Sequence, residues 1–424
     1  MKKNIFLFIL FPAALLLAGC YDAVYQSIRN EVALEDASIS GFINSIVRFT
    51  KDGEEYLYLQ NGRIYYKKAD AHEHGAWQRD TSAPPPIVYD YYANEFDGNS
   101  VYRLAADGNY LYALSYTPHF DDEYSRNVPT EIHLWYTDGT AEWKKIEKFD
   151  PVFEAYRAAL RKKNFMMDAN IALFCTNTPQ TDHRKAYIRI GGGSTTAEPD
   201  SDVNKTYGAG ANKGVIELDG PYTDPNGTIP EGTQGAGLKT VSAVYFKEDY
   251  ILLDHLASTT DETADKDADY LYFADGETLY YIDGGSYTSG MDFSTYKEDG
   301  SPFKSGNIDT GTILSMTPTA NSLLFGTHRS GVYNITLVGG KPAEDDKGAI
   351  IKAKHLEVSG SSILESPYIV RTILCTDPSV EETAPDSAIY CSLQFQYTAA
   401  YSSTSYDNVG LWSYYEARGN WNRE

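Results

Sequence analysis

The sequence predicts an all-β chain built from repeated four-stranded units, and three observations carry that prediction. The 424 residues hold 35 Tyr and 17 Phe, set with Ile and Val in short alternating runs. Alternation with a period of two marks half-buried strands. The runs are punctuated by turn pairs: Asp-Gly begins at Asp52, Asp97, Asp107, Asp138, Asp219, Asp275, Asp283 and Asp299, and Asn61-Gly62 belongs with them. Such pairs suit the positive φ angles of two-residue hairpin turns. Finally, a Tyr-rich phrase recurs, as YLYLQNGRIYY at 56–66 and YLYFADGETLYY at 270–281.

Related phrases stand at 108–116 (GNYLYALSY) and 322–335 (SLLFGTHRSGVYNI). The centres of the four phrases lie roughly 54, 160 and 53 residues apart, which reads as one, three and one periods. A period of about 50–60 residues is that of a four-stranded blade carrying loops. The expected architecture is a β-propeller of six or seven blades, with six the better fit to length. A pair of β-sandwiches is the alternative. The phrase at 322–335 resembles the LxxGTxxGVY hairpins of several β-propeller families.

A second repeat sets the phase. HGAWQRD at 74–80 follows the first Tyr-Tyr strand, and RGNWNRE at 418–424 follows LWSYY. Both read as the outermost strand of a unit, so 41–80 holds one whole unit and 366–424 another. A large strand exchange between the ends is not expected unless 35–42 adds an edge strand. One helix is expected near 151–163, inserted between units. Asp150 would be its N-cap, Pro151 its first residue, and Val152, Phe153, Tyr156 and Leu160 its packed face. The Gly-, Thr- and Pro-rich stretch 194–239 reads as a long exposed loop, as do 256–269, 376–387 and 398–408. Loops of this kind are where binding usually resides.

The first residues form a different unit. Lys2 and Lys3 precede an apolar run from Ile5 to Ala18, interrupted by Pro12. That run is too short to span a hydrocarbon core of about 30 Å, which needs about 20 helical residues, and it reads as a signal peptide over 1–19. Leu17-Ala18-Gly19-Cys20 resembles the lipobox of bacterial lipoproteins. The resemblance implies cleavage before Cys20, lipid attachment to Cys20 and a body held on a membrane outside the cytoplasm. Two or more acyl chains make such an anchor stable, at about 0.8 kcal/mol per buried CH₂. Tyr21, standing where Asp retains enteric lipoproteins in the inner membrane, leans toward the outer membrane. The expected division is therefore a signal peptide over 1–19, a lipidated N-terminus and tether over 20–40, and a propeller domain over 41–424. Val24, Ile28 and Val32 give the tether a short amphipathic spacing.

The whole chain carries a formal net charge of −23, which becomes about −25 once Lys2 and Lys3 are removed. Such a surface repels phosphate backbones and disfavours nucleic acid as a partner. Anionic headgroups are disfavoured for the same reason, so attachment rests on the lipid.

Catalytic signals are sparse. Cys375 and Cys391 lie in neighbouring strand-like runs, where an exported protein could bridge them; buried free thiols are the alternative. No His accompanies any Cys. Asp265, Asp267 and Asp269 alternate as in calcium loops, but Tyr270 and Gly276 stand where an EF-hand needs Gly and Glu. A looser Ca²⁺ site is the one cofactor candidate, against a solvated acidic loop as the favoured reading. Metal ligation by His72 and His74 needs a third ligand that the sequence does not locate, and exposed loop histidines are the favoured reading. Asp254-His255 has no nucleophile elbow, and GGGS at 191–194 lacks the Lys of a phosphate loop. TDGTAEW at 137–143 resembles the Asp-box of sialidase-like propellers, with Tyr136 where Ser is usual and the Gly one place early. That likeness implies a structural turn. Tyr abundance fits half-buried strands better than glycan platforms. The reading is a non-catalytic platform in the cell envelope for a protein or glycan partner. The alternative is a glycan-active hydrolase or lyase using channel carboxylates.

Overall fold

The computed structural model describes residues 38–39, 41–71, 76–84, 88–90, 95–97, 100–121, 126–140, 142–146, 171–175, 184, 186–190, 214–218, 238–242, 257–261, 268–285, 303–328, 330–356, 368–377, 387–395, 409–415 and 420–424. These residues are all β, grouped almost entirely into successive antiparallel meanders. The first sheet runs β1 (Ile46–Lys51), β2 (Glu54–Gln60), β3 (Ile64–Lys68), β4 (Gln78–Arg79). A hairpin of β5 (Val88–Asp90) and β6 (Glu95–Asp97) follows. The second sheet holds β7 (Ser100–Ala106), β8 (Leu111–Asp121), β9 (Arg126–Thr137) and β10 (Lys144–Lys145). The third holds β11 (Ile171–Cys175), β12 (Ala186–Ile190), β13 (Gly214–Leu218) and β14 (Leu238–Ser242). The fourth holds β15 (Ala257–Asp261), β16 (Ala268–Asp275), β17 (Thr278–Gly285) and β18 (Phe303–Asn307). The fifth holds β19 (Ile313–Pro318), β20 (Ser322–Thr327), β21 (Val332–Val338) and β22 (Lys341–Pro342), with β23 (Lys354–His355) also on β21. The last holds β24 (Tyr368–Cys375), β25 (Ala388–Phe395), β26 (Gly410–Tyr415) and β27 (Asn420–Arg423).

The arrangement is propeller-like, because at five places the first strand of one sheet packs on the first strand of another. β1 meets β7, β7 meets β11, β15 meets β19, β19 meets β24, and β24 returns to β1. The core follows this geometry as separate apolar wedges between adjacent sheets. Val47, Phe49, Leu104, Leu111 and Trp143 fill one between the first and second. Ile46, Leu57, Trp77, Leu374, Tyr390 and Leu411 fill the one between the last and first. A sheet with such a wedge on either side buries both faces, which explains why so many Tyr are inside. Tyr58, Tyr272 and Tyr281 are buried while Tyr56, Tyr65 and Tyr66 are half-buried.

The recurring Tyr-rich phrases are the hairpins of second and third strands, β2–β3 and β16–β17, and their turns have a specific job. Gly62 (φ 91°) sits in an isolated bridge with Val101 of β7, and Val101 N donates to Gly62 O at 3.0 Å. The turn residue Gly276 (φ 57°) accepts from Ile313 N of β19 at 2.7 Å. His328, just after β20, bridges Ile369 of β24. In each case the turn holds the innermost strand of the next sheet immediately before a β-bulge. The bulges lie between Val101 and Arg103, between Ile313 and Ser315, and between Val370 and Thr372. The Asn/Asp-Gly pair closes its own hairpin and also sets the register of its neighbour.

Both Gly-x-Trp phrases end in outermost strands, β4 and β27, so the same phase holds at both ends of the body. The period between them is less regular than its arithmetic. The phrase at 108–116 enters β8 of the second sheet and that at 270–281 forms β16–β17 of the fourth, so 160 residues span two sheets and not three. Long connections within the third sheet stretch the interval. Asp283-Gly284 is no turn either: Tyr270 pairs Asp283 while Asp269 pairs Gly285, leaving Gly284 as the extra residue of a bulge. The expected helix near 151–163 lies outside the described residues, as do the signal peptide and most of the tether.

Candidate functional site

The innermost strands converge on one cavity. β1, β7, β11, β19 and β24 all contribute to its wall, together with Asn44 and Ser45 just before β1. Its cavity volume is about 50 Å³, and it is partly open to solvent. Much of the wall is apolar. Its polar groups are Asn44, Ser45, Ser315, Thr372, Cys175 and two cations, Arg103 and Arg371.

The bulges explain why arginine can stand in the middle of an apolar strand. Arg371 is the extra residue of the β24 bulge, and Arg103 follows the extra residue Tyr102 in β7. A bulge re-aims side chains at the point where it interrupts the ladder. The Tyr102 bulge is held from the first sheet: Asn44 Nδ2 donates to Tyr102 O at 3.1 Å, and Gln60 Nε2 donates to the same oxygen. Ser45 Oγ accepts from Leu104 N at 2.8 Å. Burial, and then the nearby charge of Arg103, bring the Arg371 pKa down to about 10. The Arg371 guanidinium is therefore charged at neutral pH and near enough to Arg103 to feel its charge.

A third inner-strand arginine, Arg48 of β1, is buried and joins the first and last sheets by donating through Nη2 to Cys375 O. Burial holds its pKa below the usual value, opposed chiefly by Glu55. Glu55 in turn pairs with Arg184. Sequence reasoning passed over these arginines. The available signal was an Arg inside each of three apolar runs, IVRFTK, SVYRLAA and YIVRTILC. A charged residue inside a buried strand is uncommon enough to question.

The earlier candidates distribute differently. Cys20, Asp265, Asp267, His72, His74, Asp254 and His255 lie outside the described residues. Asp269 sits in β16, opposite Thr260 and Gly285. Among the described residues no group of three or more His, Cys, Asp or Glu side chains is placed to hold a metal ion. The bridge contemplated between Cys375 and Cys391 is not formed: both are buried free thiols. In the β24–β25 register Cys375 faces Ile389 and Cys391 faces Ile373, so the pair is diagonal. Diagonal positions lie about 7–8 Å apart, too far for a disulfide, whose Cβ atoms stand about 4 Å apart.

Cys375 Sγ contacts Ser387 Oγ at 3.3 Å. Burial pushes both thiols well above their ordinary pKa, so little nucleophilic thiolate forms. Neither is expected to react with a maleimide in the folded protein at mildly alkaline pH, while both react in concentrated guanidinium chloride. Mass spectrometry of peptides labelled in each condition checks this. Labelling of Cys375 at the unfolded rate in the native protein would refute the packing described. Cys175, in the cavity wall, is likewise held protonated at neutral pH, with its pKa raised to about 11 by burial.

TDGTAEW is the β9–β10 turn. Asp138 Oδ1 accepts from Thr140 N at 2.9 Å and from Thr140 Oγ1 at 2.8 Å. Trp143 Nε1 reaches across to Asp80 Oδ2 of the first sheet at 3.1 Å. Its role is to join sheets.

No family model matches the chain, and no curated protein matches it. Among solved structures it is similar to YCF48 from Cyanidioschyzon merolae, with 8% identity over 89% of this chain and 96% of that one and a TM-score of 0.37. The β-propeller domain of Cps50 (Swd1) from Myceliophteria thermophila shows 10% identity over 85% and 95%, with a TM-score of 0.33. A glycosyl hydrolase from Bacteroides ovatus shows 11% identity over 91% and 87%, with a TM-score of 0.29. At these levels the likenesses do not bear on function.

Proposed function

We propose that this chain is a lipid-anchored protein of the cell envelope whose body is a six-bladed β-propeller acting as a non-catalytic platform for a protein or glycan partner. The observation that carries the platform reading is the convergence of five first strands on a cavity walled by apolar side chains, Arg103, Arg371 and hydroxyl groups. A wall of that composition suits holding and orienting a ligand. The six-blade reading is supported by six meandering sheets and by the packing of β24 on β1.

The anchor rests on Leu17-Ala18-Gly19-Cys20 after a short apolar run. Among the described residues no helix is long and apolar enough to cross a membrane. Cys20→Ala is expected to move the protein from the membrane fraction to the soluble fraction of broken cells. Full retention by the variant would eliminate the lipid anchor. The platform itself is tested by crosslinking the anchored protein in its own envelope and by a glycan array. A stable protein partner or a saturable glycan signal is expected, and a blank in both would overturn the reading.

A further inference from the structure

We propose that the axial cavity is an oxyanion site, in which the guanidinium groups of Arg103 and Arg371 together hold one carboxylate, sulfate or phosphate group. The two arginines come from β7 and β24, which flank β1 on either side, and each is at or beside a β-bulge. Those bulges are not accidents of one strand. The turn of the preceding sheet pins each of them, through Gly62 on Val101 and His328 on Ile369. The fold therefore spends two irregularities to bring two like charges to one cavity. Two guanidinium groups present parallel N–H donors suited to planar or tetrahedral oxyanions, and such charge-assisted bonds are the strong class.

The rest of the wall is consistent with one small charged group. Its described residues include two Arg and neither Asp nor Glu. Ser315 Oγ, in the same wall, is buried and makes no hydrogen bond within the protein. A buried polar atom left in that condition calls for a specific explanation, a bound ligand or water among them. An anion that binds only the folded cavity stabilises the folded protein through the linkage of binding to folding. The overall negative charge of the protein disfavours anions generally. A saturable oxyanion effect would therefore report this local cavity and not a diffuse surface field.

The site does not depend on the platform reading or on the lipid, since a small anion can be tested without any macromolecular partner. The experiment is calorimetric titration and thermal melting of the full chain in detergent, with sodium sulfate, phosphate, acetate and glucuronate, each against sodium chloride at matched ionic strength. At least one oxyanion is expected to bind saturably and raise the melting temperature beyond chloride. The sulfate and phosphate arms report a free inorganic ion, and preference for glucuronate over acetate reports the carboxylate of a sugar.

Arg371→Gln is expected to weaken that binding about tenfold or more, the scale of losing hydrogen bonds to a charged group. Should Arg371→Gln fail to fold, Arg371→Lys keeps the charge and loses the fork, and a weaker but measurable affinity is expected. No oxyanion effect beyond chloride, or equal affinity in folded Arg371 variants, would overturn the proposal. Failure of crosslinking and arrays with intact anion binding would remove the platform and leave the site.

Discussion

Glu424→Ala is expected to be among the most destabilising single substitutions in the chain, at about 3–5 kcal/mol, the usual cost of removing one partner from a buried ion pair. The side chains of Glu424 and Lys67 are both fully buried, with Lys67 Nζ 3.3 Å from Glu424 Oε2. Trp77 Nε1 donates to the same oxygen at 3.1 Å. Ser413 Oγ and Tyr415 OH donate to Oε1, the latter at 3.3 Å. One carboxylate thus gathers donors from β3, from the segment before β4 and from β26. Lys67 Nζ also lies 4.9 Å from the Trp77 ring centre and 4.5 Å from that of Tyr390. Ser38 N and Ile39 N donate to the Glu424 main-chain oxygen at 2.8 and 3.0 Å.

This node is where the first and last sheets meet, and its loss strands a buried ammonium at the seam. Hydrogen exchange should show protection falling together in β1–β4 and β24–β27 before the other sheets, with chemical denaturation giving the free energy. The double variant Lys67→Met, Glu424→Leu should recover much of the loss, because a well-packed apolar pair can replace a buried ion pair. A Glu424→Ala protein within about 1 kcal/mol of the parent, the scale of an exposed pair, would contradict the closure described.

Much of this architecture can be read from the sequence because its punctuation is local. Asp52 (φ 54°) and Gly53 (φ 77°) form the β1–β2 turn. Asp107 closes β7–β8 by accepting from Asn109 N and Tyr110 N at 2.7 and 2.6 Å. A turn pair dictates its own φ angles wherever it lies, and the Trp of Gly-x-Trp fixes the last strand of a unit by burying against the sheet before it. Period arithmetic failed at the third sheet because loop length is cheap: doubling a loop costs only about 0.6 kcal/mol. Spacing between units is therefore free to drift where connections are long.

The candidate site was hidden for a different reason. A bulge exists only in the pairing of two strands, so nothing in SVYRLAA or YIVRTILC marks where the extra residue falls. The approach of Arg103 to Arg371 depends on the turns at Gly62 and His328, which belong to other sheets. Glu424 reads as an ordinary charged residue after Arg423 until Lys67 and Trp77, more than 300 positions away, fold against it. Local chemistry was legible, and long-range convergence was not.

Gly326→Ala tests that convergence from the side. Gly326 lies in β20, opposite Ser315 of β19 and Val332 of β21, where β20 packs directly on β24. A Cβ built there would stand 2.7 Å from Val370 O and 2.8 Å from Val370 Cγ1, and closer still to Ser315 Oγ. Neither backbone oxygen nor branched side chain can yield without moving β24 at its bulge, one residue before Arg371. Alanine should stabilise a strand interior by roughly 0.5–1 kcal/mol relative to glycine. Overpacking of a tight contact opposes this with about 1–3 kcal/mol, occasionally more.

The expected net loss is therefore roughly 1–2 kcal/mol, read from chemical denaturation. It should come with weaker oxyanion affinity although residue 326 is not part of the cavity wall. Gly53→Ala is the control, since nothing lies within 4 Å of its added Cβ and only its φ of 77° is strained. That change should cost about 1 kcal/mol and leave anion affinity untouched. If both variants lost the same stability and both kept full affinity, the Thr-preceding glycine of SLLFGTHRSGVYNI would be a matter of strand propensity alone. A loss of affinity confined to Gly326→Ala would instead tie that glycine to the placing of Arg371, and the repeated hairpin to the function of the sheet that follows it.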